Sequence, residues 1–69
     1  MTELEAARTI GYAKGLVQAK AAARTEAEAD ILEKEIVKIA RKMRSMGIRP
    51  YRIRQCTGLS ESEIESFPA

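Results

Sequence analysis

Residues 32–47 read LEKEIVKIARKMRSMG, with apolar side chains at Leu32, Ile36, Ile39, Met43 and Met46, at spacings of four, three, four and three. Because 3.6 residues complete a helical turn, that alternation lines one face of an α-helix with a continuous seam. Ile31, Val37 and Ala40 widen the seam into the stripe of a helix packed on a core, broader than a two-stranded zipper needs. Gly47 supplies the left-handed residue that commonly ends a helix, and Arg41, Lys42 and Arg44 sit near the negative end of the helix dipole.

Downstream, start and stop signals follow at short intervals. Pro50 is preset for a first helical turn, Gly58 suits the position after a short helix, and Ser60 with Glu63 forms a capping box. These predict two short helices, near 50–57 and 61–67. Their inward candidates are Ile48, Ile53, Cys56, Leu59, Ile64 and Phe67, which can fold back on Ile39 and Met43.

Upstream, residues 2–46 contain no Pro and are dense in Ala, Glu, Lys, Arg and Leu, the strongest helix formers. Thr2 with Glu5 fits a capping box at the start, and Thr25 with Glu28 fits a second one halfway. The second pair either restarts the helix after a break near Arg24 or is incidental in one rod about 65 Å long. The favoured reading is a continuous or slightly bent helix over 1–46, followed by a helix-turn-helix-like tail over 47–69. The expected fold is all-α: one long helix and two short ones, a helical hairpin or three-helix bundle forming a single domain completed by homodimerisation.

Composition narrows the function. The chain has 69 residues, so it builds one small core at most, and that core lacks Trp and has only Phe67, Tyr12 and Tyr51 as aromatics. Domains this small often gain stability by self-association. With no His and one Cys, neither a Ser-His-Asp or Cys-His arrangement nor a Cys/His zinc site can be assembled, which points to a non-catalytic chain without a cofactor. The glutamates and lysines at Glu33, Lys34, Glu35 and Lys38 have the spacing of helical ion pairs and no supporting Asp of a nuclease site. A lone thiol, Cys56, fits a reducing compartment, so the cytoplasm is the expected location. Strictly apolar runs reach three residues, Ala21–Ala23, which predicts no membrane partner.

Two constellations remain. Small residues recur every fourth position at Gly11, Gly15, Ala19, Ala23 and Ala27, a spacing that lets another backbone approach, or that reflects no more than common alanines in a helix. Charge is also segregated: residues 1–30 carry a net −1, residues 31–54 a net +6 and residues 55–69 a net −3. Arg41, Lys42, Arg44, Arg49, Arg52 and Arg54 could neutralise phosphates, and the layout after Gly47 has the order of a helix-turn-helix unit. The final helix of such a unit enters the major groove, however, and here it bears Glu61, Glu63 and Glu65. A solvated face or an acidic protein partner is the preferred reading over direct DNA contact. Arg41, Arg44, Arg49 and Arg52 stay as the candidate nucleic-acid contacts, with Leu32, Ile36, Ile39, Met43, Gly11, Gly15 and Ala19 as the candidate interface.

The segment 36–67, IVKIARKMRSMGIRPYRIRQCTGLSESEIESF, resembles the C-terminal end of the Rpn family of transposase-like, recombination-promoting nucleases with a PD-(D/E)XK core. The resemblance lies in Met46-Gly47, in Thr57-Gly58-Leu59-Ser60, in Glu63-Ile64-Glu65, and more loosely in the upstream row of small residues, similar to a worn form of the family's Gly-rich repeat. Pro50 and Arg54 depart from the family pattern, and the nuclease core is missing. The chain thus looks like a short form translated from within a nuclease gene. The resemblance implies an antitoxin that pairs with its full-length relative and restrains its DNA cleavage in defence against phage. The alternative is a nucleic-acid-binding or oligomerisation module of a nuclease-like protein.

Overall fold

The computed structural model describes residues 2–67, and among them every regular element is a helix: α1 (Glu3–Ala21), α2 (Glu26–Ser45), α3 (Pro50–Thr57) and α4 (Glu61–Glu65). The all-α expectation holds, but the continuous helix over 1–46 does not. A rod of that length would measure about 65 Å, whereas the longest extent of the molecule is 35 Å. The chain reverses between Ala21 and Glu26, and α1 lies antiparallel along α2, so the fold has two long helices and two short ones.

The break falls at the second capping box. Thr25 is extended, with φ −129° and ψ 156°, and its Oγ1 accepts the Glu28 amide at 3.2 Å. The Glu28 carboxylate in turn accepts the Arg24 amide at 3.2 Å. Local bonds therefore satisfy donors that a continuous helix would have paired with carbonyls one turn earlier.

The reversal is worthwhile because α1 covers the seam of α2. Ile36, Ala40 and Met43 are at most 1% exposed, and Ile39, Val37 and Met46 pack partly buried around them. From α1 come Ala13, fully buried, and Ala6, Ile10, Leu16 and Val17 at the edge of the same cluster. Lys20 pairs with Glu33 near the turn, and Thr9 Oγ1 meets Met46 Sδ at 3.7 Å near the other end. Between those two pairings both helices present an alanine to the core, Ala13 and Ala40, so they can approach closely where neither has more than a methyl group.

The tail folds as its signals predict. After Met46, Gly47 adopts φ 85°; its amide bonds the Arg44 carbonyl and the Ile48 amide bonds the Met43 carbonyl, each at 3.1 Å. This is the Schellman closure, with Ile48 and Met43 both buried beside it. Pro50 opens α3, and Gly58 ends it at φ 76°. Ser60 caps α4 by accepting the Glu63 amide at 3.2 Å. Ile48, Ile53, Cys56, Leu59 and Ile64 are buried as expected, and Phe67 packs partly buried on the same cluster. The Thr57 hydroxyl, also buried, donates to the Ile53 carbonyl at 2.7 Å and accepts the Leu59 amide at 3.3 Å, so the turn into α4 leaves no orphan there.

The four glycines divide by backbone. A Cβ at any of them meets no atom within 4 Å, but only Gly47 and Gly58 have positive φ. Gly47→Ala and Gly58→Ala are each expected to lower unfolding stability by about 1–2 kcal/mol. Gly11→Ala and Gly15→Ala, in α1, should raise it by about 1 kcal/mol each through helix propensity. Urea melts followed by circular dichroism check the signs; destabilisation by the α1 substitutions would mean that those glycines are held in a close contact after all.

Candidate interaction surface

The core just described takes up much of the seam expected to join chains. Ile36 and Met43 are 1% and 0% exposed, so they hold this chain's own helices together and offer no surface to a partner docking on the folded molecule. Leu32 and Ile39 are half-buried beside them. Gly11, Gly15 and Ala19 are exposed and lie on the side of α1 turned away from α2, so the small-residue row plays no part in the crossing of the two long helices. The inner face of α1 is instead Ala6, Thr9, Ile10, Ala13, Leu16 and Val17. Its signal was present in the spacing of Ala6, Ile10, Ala13 and Val17 (four, three and four), the same rhythm as in α2 but carried by smaller side chains.

Large apolar side chains left on the surface are Leu4 at 60% exposure and Tyr12 at 55% on α1, Ile31 at 63% on α2, and Tyr51 at 48% on α3. Ile31, which the sequence assigns to the seam, sits about 140° round the helix from Ile36 and faces out.

The candidate nucleic-acid arginines do not form one strip. Arg49 and Arg52 share a shallow groove of about 250 Å³ with Ala6, Gly47, Ile48 and Tyr51. Arg52 also borders a neighbouring groove of about 280 Å³ with Glu3, Ala6, Ala7 and Ile10. Arg41 is exposed elsewhere, with its guanidinium 5.5 Å from the centre of the Phe67 ring, in range of a cation–π contact. Arg44 is half-buried, and its Nε has no hydrogen-bond partner among the described residues. Arg54 pairs with Glu61 at 3.5 Å, tying α3 to the start of α4.

A further groove of about 280 Å³, lined by Glu5, Arg8, Thr9, Lys42 and Met46, brings two cations together that the sequence reading did not combine. The end of the bundle where α1 begins and α2 turns into α3 thus carries Arg8, Lys42, Arg49 and Arg52 interleaved with Glu3 and Glu5. Carboxylates so placed offset the field that would draw a polyanion, and the exposed Glu61, Glu63 and Glu65 add repulsion on α4. Mixed charge of this kind suits a polar protein surface better than a phosphate backbone.

Among the described residues no group of three or more His, Cys, Asp or Glu is placed to hold a metal ion, and no helix is long and apolar enough to cross a membrane. No family model, curated protein or solved structure matches the chain.

The burial pattern separates two kinds of substitution. Ile36→Asp should abolish the cooperative thermal transition, because an unpaired carboxylate cannot be accommodated in this core. Ile31→Asp, on the outer face of the same helix, should shift the midpoint by only a few degrees. Equal damage from both, read by circular dichroism, would contradict the assigned orientation of α2.

Proposed function

We propose that this chain is a non-catalytic antitoxin that pairs with a longer nuclease sharing its helical tail and restrains toxic DNA cleavage in defence against phage. It works in the cytoplasm, where its single thiol stays reduced, and it also associates with itself. The observation that carries the reading is the tail: Met46-Gly47 and Thr57-Gly58-Leu59-Ser60, the motifs of the nuclease resemblance, are helix stops and starts around one shared core. A longer protein with the same tail would build the same surfaces, so any contact by which long chains pair is equally open to a long chain with a short one. Mixed assembly then competes with the active arrangement.

Direct DNA binding is the second reading. It draws on the exposed cations Arg41, Arg49 and Arg52, and the carboxylates among and beside the basic side chains weigh against it.

Co-expression with the full-length nuclease tests the antitoxin role. Growth should recover when the short chain is present and fail to recover with Ile36→Asp, which removes the fold. Toxicity unrelieved by a soluble, folded short chain would overturn the proposal. Titration of labelled duplex DNA at two salt concentrations tests the second reading: no binding at low salt is expected. Steep salt-sensitive binding, lost on substituting Arg41, Arg49 and Arg52, would favour the adaptor instead.

A further inference from the structure

The hairpin of α1 and α2 is covered on one flank only. Arg52 of α3 borders Glu3, Ala6, Ala7 and Ile10 of α1, and Phe67, just beyond α4, lies beneath Arg41 of α2, so the short helices occupy the flank that these residues mark. Among the described residues no further element covers the opposite flank. There Glu5, Arg8 and Thr9 of α1 face Lys42 and Met46 of α2 across an open groove. At about 100° per residue, the same flank continues along α1 through Tyr12, Leu16 and Ala19, and along α2 through Ile39, Glu35 and Leu32. Burial agrees: Leu16, Leu32, Ile39 and Met46 are only half-buried, and Tyr12 is 55% exposed.

This flank is complementary to itself. On α2, Glu35 and Lys42 are seven residues apart and nearly in line, and on α1 so are Tyr12 and Ala19. The Thr9–Met46 contact and the Lys20–Glu33 ion pair set the register of the two helices, and in that register the midpoint of one pair lies level with the midpoint of the other. A single two-fold axis across the flank can therefore pass through both, laying α1 antiparallel on a second α1 and α2 antiparallel on a second α2. Each Glu35 then comes beside Lys42 of the other copy, and each Tyr12 ring lies over the small side chain of Ala19. Leu16 and Ile39 of both copies meet at the axis as one apolar layer. Glu35 holds Lys38 through one carboxylate oxygen at 3.3 Å, and Lys42 makes no ion pair among the described residues, so both retain capacity for the new contact.

We propose that two copies of this chain pair face to face through the open flank of the α1–α2 hairpin, about a two-fold axis level with Leu16 and Ile39, completing a bundle of four long helices. This rests on the self-association included in the proposed function and assigns it a surface. A face about 28 Å long and two helices wide buries roughly 1,000 Å² in all, at the lower limit of a specific interface, so the dimer is weak and concentration-dependent. A longer chain bearing both helices presents the same flank to the short one.

Sedimentation equilibrium on the full chain, from micromolar to millimolar concentration, should show a monomer passing into a dimer and nothing larger. Ala19→Glu sets a charge under Tyr12 of the other copy at an exposed helical position, and should weaken the dimer about 10-fold or more while leaving helical circular dichroism intact. Gln18→Glu adds the same charge on the outward side of α1 and should leave the dimer unchanged. Glu35→Lys and Lys42→Glu should each weaken it about 10-fold by facing like charges across the axis, and the two together should restore it.

In an equal mixture of isotope-labelled and unlabelled chains, intermolecular nuclear Overhauser effects should connect the Tyr12 ring with the Ala19 methyl, positions about 10 Å apart along one helix. That readout holds even if a variant folds poorly. A dimer indifferent to folded Ala19→Glu, a double charge reversal that restores nothing, or the absence of the Tyr12–Ala19 effect in a dimeric sample would overturn this pairing and leave self-association to another face. A wild-type monomer at millimolar concentration would overturn the pairing and the self-association together.

Discussion

The reversal at Thr25 is the constraint on which the molecule depends. Without it, α2 has a seam of Ile36, Ala40 and Met43 with only the short tail to cover part of it, and α1 has no partner at all. With it, a helix whose inner face sets Ala6, Thr9 and Ala13 among Ile10, Leu16 and Val17 becomes the lid of the core. The lid works because Ala13 and Ala40 let the backbones come near, so the larger neighbours Leu16, Val17, Ile39 and Met46 can fill the flanks. A capping interaction of about 1 kcal/mol is thus the local expression of a much larger burial. The cap does not create the packing; it directs the chain toward it.

How much of this was legible follows from the range of the forces. The tail could be read almost residue by residue, because Gly47, Pro50, Gly58 and Ser60 act through their own backbone or their immediate neighbours. The seam of α2 was legible too, since Leu32, Ile36, Ile39 and Met43 announce a face by periodicity alone. What that face meets is a tertiary matter, and periodicity is silent on it. The seam expected between chains is largely filled from within. The break near Arg24 was visible only as an ambiguity: Thr25 and Glu28 permit a restart, while the alanines before them permit continuity. Only the gain from covering α2, which no local window contains, decides between them.

The small-residue row illustrates the same limit from the other side. Gly11, Gly15 and Ala19 have the spacing of a close contact, yet they lie outward, and the contact is made by residues on the opposite side of α1. Spacing identifies a face and does not say which way it is turned. The basic residues behave similarly: adjacent in sequence, they are dispersed by the fold. Arg49 and Arg52 share a groove, Arg41 stacks on Phe67, Arg44 is partly sunk and Arg54 is tied to Glu61. A net charge of +6 over residues 31–54 therefore does not translate into one coherent basic platform.

Cys56 sits on the inward side of α3 with only 7% of its surface accessible. A thiol so sheltered is protected from alkylating reagents for as long as the third helix stays seated. Its labelling rate is consequently an intrinsic clock for the lifting of the tail, readable without adding any foreign probe to a protein that has no tryptophan to report on itself.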